Sequence, residues 1–229
     1  MNRREFIKLA CGGAATLLLS GCGLLAVGDT KGKASTSNES SKSTKTGENG
    51  KMKIVVVTGS PHSEEESTSK YLTVQFIKGA QEAGHEVFRF DAASADIHPC
   101  QGCDRCHMDG PCVFKDDIET KLMPKMLEMD MIVLSTPLYY YGMSAQLKTI
   151  VDRFYSRTGH LTGKKSMLIA TAYNSADWTF EALMAHYDTL VRYMDWTDVG
   201  TVLGYGCGSR ELAERSEFGP MAYNIGKGL

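Results

Sequence analysis

The chain has no excess of either charge: 25 Lys and Arg stand against 27 Asp and Glu, a formal net charge of -2 over 229 residues. No cluster of basic residues falls on one expected face, so the electrostatic footprint of a nucleic-acid-binding domain is missing and no nucleic-acid partner is expected. An apolar run long enough to cross a bilayer, about 20 residues, is also lacking. The N-terminal candidate, Leu9 to Leu19, is too short and is rich in Ala and Gly. There is no internal repeat. Residues 29–50, DTKGKASTSNESSKSTKTGENG, have almost no apolar side chain. Such a segment cannot bury enough surface to offset its ordering entropy and is expected to be a flexible tether. The remainder, 51–229, is long enough for one sizeable core but short for two.

From Lys51 onward strands and helices alternate. Lys53 to Thr58 is a β-branched run ending at Gly59, as for a strand buried on both faces. Thr68 to Ala83 has helical spacing and closes at Gly84. Further strands are predicted at Glu86–Phe90, Met131–Ser135, Ser166–Thr171 and Val199–Gly204. Helices are predicted at Asp116–Glu128, with Asp116 and Glu119 as a capping pair, and at Ser144–Tyr155, Phe180–Met194 and Glu217–Lys227. Parallel neighbours need crossover connections, so five strands separated by helices imply an α/β, doubly wound, five-stranded parallel sheet, and the flavodoxin-like order 2-1-3-4-5 fits five strands. In that order a ligand crevice opens where the first and third strands end. The loops that matter then follow Thr58, Ser135 and Thr171.

The first of these loops, Gly59-Ser60-Pro61-His62-Ser63-Glu64-Glu65-Glu66-Ser67-Thr68-Ser69, gathers hydroxyls and free amides at a helix start, which is what a phosphate requires, although N-capping alone accounts for Ser67 or Thr68. Gly59-Ser60-Pro61 with Thr68 resembles the first loop of the NADPH-dependent FMN reductases and their iron–sulfur flavoprotein relatives. His62 stands where that family has Arg, and Glu64 to Glu66 add an acidic run. Thr136-Pro137-Leu138-Tyr139-Tyr140-Tyr141-Gly142-Met143-Ser144 is similar to the family's T-P-x-Y-x-x-x-x-S pattern, and Gln146 to Phe154 to the helix that follows it. The resemblance implies FMN as cofactor, with Ser60, His62, Ser67, Thr68 and Ser69 at the phosphate. Pro137, Leu138, Tyr139, Tyr140, Tyr141 and Gly142, together with Ala172 and Tyr173 of the fourth-strand loop, would lie around the ring. Lys148, Asp152 and Arg153 read as structural or as a subunit contact, and Asn174 as a turn residue.

Seven cysteines are present, four of them in a C-x2-C-x2-C-x5-C run: Cys100, Cys103, Cys106 and Cys112. Gly102, Gly110 and Pro111 allow the turns that would let these thiols converge on one centre. The residues leave three states open: an iron–sulfur cluster, disulfides or free thiols, and a zinc site using His98 or His107. Similarity to the four-cysteine motif of iron–sulfur flavoproteins implies a [4Fe–4S] cluster. The isolated Cys207 reads as a small core or loop residue.

Residues 1–28 read as a targeting segment. Asn2-Arg3-Arg4-Glu5-Phe6-Ile7-Lys8 resembles a twin-arginine export signal, and Leu19-Ser20-Gly21-Cys22 a bacterial lipobox, which implies a lipid on Cys22. The combined expectation is an extracytoplasmic flavoprotein oxidoreductase, lipid-anchored to the bacterial membrane. It would pass electrons from NAD(P)H or another donor, small molecule or protein, to a quinone, flavin or protein acceptor. Related proteins imply a homo-oligomer. Two other readings of the scaffold are an electron carrier without enzymatic turnover and a lipoprotein that only binds. Flavin chemistry resides in the cofactor, so no catalytic side chain is expected.

Overall fold

The computed structural model describes residues 50–229. The expected export signal, lipobox Cys22 and most of the tether lie outside the described residues. Five strands, β1 (Lys53–Thr58), β2 (Glu86–Asp91), β3 (Met131–Pro137), β4 (Lys165–Thr171) and β5 (Thr197–Gly204), form one parallel sheet in the order β2-β1-β3-β4-β5. This is the flavodoxin-like doubly wound arrangement predicted from the strand–helix alternation.

The central strands are apolar on both sides because both faces of the sheet are covered. Val55 and Val57 of β1, Ile132 and Leu134 of β3, and Leu168 and Ala170 of β4 point to one face. There they meet α2 (Met123–Glu128), α3 (Ala145–Arg153) and α4 (Glu181–Tyr193) through Met126, Leu147, Ile150 and Leu183. Their neighbours Ile54, Val56, Met131, Val133, Met167 and Ile169 point to the other face, against Leu72, Phe76 and Ala80 of α1 (Thr68–Glu82) and Ala222 of α6 (Phe218–Lys227). Each fully buried side chain of this kind stabilises the fold by roughly 1.5–3 kcal/mol.

Helices α1 and α6 cross at a seam of small residues. A Cβ on Gly79 would collide with the Tyr223 carbonyl oxygen, and one on Gly226 with the Phe76 carbonyl oxygen, so only glycine at both positions permits this approach. The seam fixes the axis of α1, and hence the height at which its first turn meets the sheet.

Three local features depart from the sequence reading. The helix expected to start at Asp116 begins with a π-helical turn, Ile118–Leu122, in which the Met123 amide donates to the Ile118 carbonyl five residues back. Pro124 explains it, since a proline cannot donate to the carbonyl four residues earlier and the ladder shifts there. Helix α3 ends two residues before the expected Tyr155 and passes into a 3-10 segment, Phe154–His160, that the sequence reading did not include. A short helix, α5 (Arg210–Arg215), lies where the sequence pattern showed only a connection. Elsewhere the expected elements end within two residues of the observed ones.

Candidate functional site

A cleft of about 520 Å³ opens at the C-terminal ends of β1, β3 and β4, in the size range of small-molecule sites. Its floor exists because the segments after β1 and β3 are fastened together. The Gly59 amide donates to the Ser135 carbonyl at 2.8 Å, and the Ser144 hydroxyl donates to the Gly59 carbonyl at 2.7 Å. Ser144 also caps α3, accepting from the Leu147 amide at 3.3 Å, while its own amide donates to Thr136 Oγ1 at 2.9 Å. A Cβ on Gly59 would strike Ser144 Oγ and stand 2.7 Å from Leu147 Cβ, which accounts for glycine at the head of the loop.

The loop then folds over its own hydroxyls. Ser67 Oγ donates to Ser60 Oγ at 2.8 Å and accepts from the Lys70 amide at 3.2 Å, making Ser67 the N-cap of α1. Thr68 Oγ1 pairs with Thr171 Oγ1 at 2.8 Å, tying the first residue of α1 to the end of β4. The first amides of a helix have no intrahelical acceptor, so this rim offers N–H groups and hydroxyls together. Three cations hold the loop. Lys70 Nζ donates to the His62 carbonyl at 2.9 Å. Arg89 clasps the Glu64 carboxylate with both Nη atoms, at 3.0 and 2.6 Å. Arg210 Nη1 donates to the Glu64 carbonyl at 2.6 Å. The Arg89 hydrogen bond, although opposed by burial, holds the Glu64 carboxyl below its ordinary range.

Of the residues expected at the phosphate, Ser60, His62, Ser67 and Thr68 line the cleft. Ser69 does not. It is buried behind the loop, where its hydroxyl sits 3.4 Å from Ser67 Oγ and its carbonyl accepts from Thr73. Of those expected at the ring, Pro137, Leu138, Tyr139, Ala172 and Tyr173 line the cleft. Tyr140, Tyr141 and Gly142 do not line it but form the adjacent reversal, closed by reciprocal Tyr139–Gly142 backbone hydrogen bonds at 3.0 and 3.1 Å. Tyr140 and Tyr141 hold φ of 46° and 64°, left-handed values that cost of order 1–3 kcal/mol each for such residues. Tyr140 is fully exposed, and Tyr141 lies 5.0 Å from Trp178, ring to ring. Tyr139 has its phenol pKa pushed up by burial.

One wall was not anticipated from the sequence: Cys207, Gly208, Ser209 and Arg210, which follow β5. The signal lay in Gly206-Cys207-Gly208-Ser209, a second glycine- and serine-rich turn after a strand, with Ser209 capping α5 through the Leu212 amide at 3.3 Å. Burial pushes the Cys207 thiol upward in pKa.

The four clustered cysteines lie apart from this cleft. All are free thiols, and Cys100, Cys103, Cys106 and Cys112 line one small cavity of about 20 Å³, walled also by Phe114, Arg153 and Tyr155. His98 and His107 do not line it. Among the described residues, no group of three or more His, Cys, Asp or Glu side chains is arranged to hold a metal ion. The thiols therefore share a cavity without being drawn together on one point.

Beneath that cavity is a buried ion pair. Arg153, 1% exposed, donates from Nη1 to Asp116 Oδ2 at 2.7 Å and from Nη2 to Oδ1 at 3.2 Å, and Nη1 also reaches the His98 carbonyl at 2.9 Å. Its Nε has no partner among the described residues. Asp116 further accepts the His98 and Glu119 amides at 2.9 and 3.2 Å. The Glu119 carboxylate turns to Arg157 at 3.1 Å instead of closing the expected capping box. Burial pushes the Asp116 carboxyl up, but Arg153 and the two amides outweigh it and leave the pKa below its ordinary 3.8. Of the three helix residues read as structural or as a subunit contact, Arg153 belongs to this core, whereas Lys148 and Asp152 form an exposed pair at 2.5 Å.

Asp116→Asn leaves Arg153 as an uncompensated buried cation, and a loss of roughly 3–5 kcal/mol in urea denaturation at neutral pH is expected. A lowered carboxyl pKa stabilises the fold above the unfolded value of 3.8, and that stabilisation is lost as pH falls through the folded value. The variant is therefore expected to show a flatter stability profile than the parent in that acid range. An unchanged midpoint at neutral pH would mean that the pair does not support the fold.

Comparison with known proteins places these features in context. The sequence profile of the NADPH-dependent FMN reductase family matches residues 52–205. An iron–sulfur flavoprotein of Methanocaldococcus jannaschii is 36% identical over 102 residues, 44% of this chain and 51% of that protein. One from Archaeoglobus fulgidus is 29% identical over 177 residues, 73% of this chain and 77% of that protein. The chain thus spans about half the length of the first relative and about three quarters of the second. Among solved structures, an NAD(P)H:quinone oxidoreductase from Methanothermobacter marburgensis superposes with a TM-score of 0.60 at 16% identity, covering 77% of this chain and 95% of that one.

Proposed function

Because the chain belongs to the NADPH-dependent FMN reductase family, we propose that it is an FMN-dependent oxidoreductase whose flavin occupies the cleft at the ends of β1, β3 and β4. The observation that carries this reading is the hydroxyl-rich rim of Ser60, Ser67 and Thr68 at the start of α1, facing Pro137, Leu138 and Tyr139 across a cleft of suitable size. Bound FMN would supply hydride acceptance and the onward release of electrons. The protein's own part is to hold the phosphate on the loop, to flank the ring with Leu138, Tyr139 and Tyr173, and to leave one side open for donor and acceptor. Tyr173 is 87% exposed while lining the cleft, so it can shift to admit a planar reactant without disturbing the core. The donor in this reading is NAD(P)H or another reductant, and the acceptor a quinone, a flavin or a protein.

The second part of the proposal is that Cys100, Cys103, Cys106 and Cys112 hold an iron–sulfur cluster, [4Fe–4S] in type. Four free thiols already face one cavity, and the relatives are named as iron–sulfur flavoproteins. A cluster of this kind transfers single electrons. No helix or strand spans residues 92–117, so the thiols are carried on turns. The third part is that the chain is exported by the twin-arginine route and anchored through lipid on Cys22, on the strength of the leader sequence.

Three measurements on the full-length protein test these parts separately. Anaerobically purified protein is expected to show flavin absorbance, and Ser60→Ala combined with Thr68→Ala is expected to weaken FMN affinity by about a hundredfold or more, the worth of two hydrogen bonds to a charged group. Unchanged affinity would place the phosphate elsewhere. Cys103→Ser is expected to abolish iron binding while retaining flavin, whereas equal iron content would remove Cys103 as a ligand. Cys22→Ala is expected to release the protein from bacterial membranes, and continued membrane association would discard the lipid anchor.

A further inference from the structure

The charge balance around the cleft leaves a question that the first loop does not answer. A flavin phosphate brings negative charge to a rim that already carries Glu65 and Glu66. The Glu64 carboxylate is occupied by Arg89, and His62 faces Glu66 at 3.9 Å with most of its ring in solvent. Lys70 is turned to the His62 carbonyl and to Asp91 at 3.3 Å. Arg210 is the one Lys or Arg side chain lining the cleft among the described residues.

The setting of Arg210 is unusual for a surface arginine. Its guanidinium lies 4.6 Å over the Tyr71 ring, a contact that holds a cation in place without neutralising it. Nε donates to Glu214 at 2.7 Å. Nη1 donates to the Glu64 carbonyl at 2.6 Å and approaches the Ser67 carbonyl at 3.5 Å, at either end of the stretch that includes Glu65 and Glu66. Nη2 has no protein acceptor among the described residues. The residue thus reaches from the segment after β5 to the loop after β1, 146 positions away, and lines the same cleft as Ser60 and Ser67.

We infer that Arg210 is the residue that makes the cleft select phosphorylated over unphosphorylated flavin: its free Nη2 edge meets the phosphate while Nη1 clasps the loop that surrounds it. The inference rests on the flavin reading of the cleft and adds to it a contact from the opposite wall. Arginine suits the task because its planar fork serves two partners at once, whereas a lysine ammonium would supply charge without the clasp.

The test compares FMN with riboflavin, which lacks only the phosphate. Dissociation constants for both are measured by fluorescence quenching on full-length apoprotein for the parent, Arg210→Met and Arg210→Lys, with thermal melting as a check on folding. In the Met variant FMN is expected to bind about tenfold or more weakly, while riboflavin affinity changes by less than about threefold, so discrimination between the two collapses. The Lys variant is expected to retain part of the discrimination. Added salt should weaken FMN binding by the parent more than by the Met variant. Equal weakening of both flavins would reduce Arg210 to a loop support and overturn the inference while leaving the flavin site standing, as would unchanged affinity for both. A parent protein that binds neither flavin would overturn the flavin reading and this inference together.

Discussion

The cleft depends on one junction, where the residue after β1 is held by the residues around β3. Gly59 donates to Ser135 and accepts from Ser144, so the loop that follows β1 and the helix that follows β3 share an anchor at the level of a single peptide. Parallel sheets place the ends of neighbouring strands together, but they do not fix the loops beyond them. Here the fixing is done by buried hydroxyls: Ser60, Ser67, Thr136 and Ser144 each have a defined partner and almost no contact with solvent. Satisfied in this way, a buried polar cluster is rigid.

The same anchor links the cleft to the thiol cavity. Helix α3 begins beside Gly59, at Ser144, and ends at Arg153, which walls the cavity of the four cysteines and is clamped by Asp116. Nine helical residues span about 14 Å, so the two places proposed to hold redox groups are set apart by a rigid strut. Its inner face, Leu147, Ile150 and Val151, is buried in the core.

The sheet was legible because strand burial on both faces writes a continuous apolar run, as in Ile54–Val57 and Met131–Leu134, and because each run is followed by a turn signal and a helical period. The order of strands followed from number and connection. Most of the cleft was legible through its hydroxyl loop and the Thr136–Ser144 pattern. Hydroxyl type alone could not say which way Ser69 points, and helical geometry turns it behind the loop when Ser67 becomes the N-cap. In the tyrosine run, only Tyr139 lies before the reversal, so Tyr140 and Tyr141 are carried outside the cleft by a turn that the residue types do not favour. The place of Arg210 in the cleft left no sign, since the contacts that bring it to the first loop are to the Glu64 and Ser67 backbone carbonyls, contributed by another part of the chain. The π-helical turn was visible in principle, through Pro124, once the ladder of amides is counted.

The glycine seam between α1 and α6 has a consequence in time as well as in space. Helix α1 carries the loop that frames the cleft, yet the surface on which α1 rests is supplied by the last described helix, and the clasp on the loop comes from the segment just before it. During synthesis both arrive after the sheet strands have emerged. The frame of the cleft is therefore closed by the parts of the fold that come latest in sequence order, so the sheet can form before the loop after β1 is held in place.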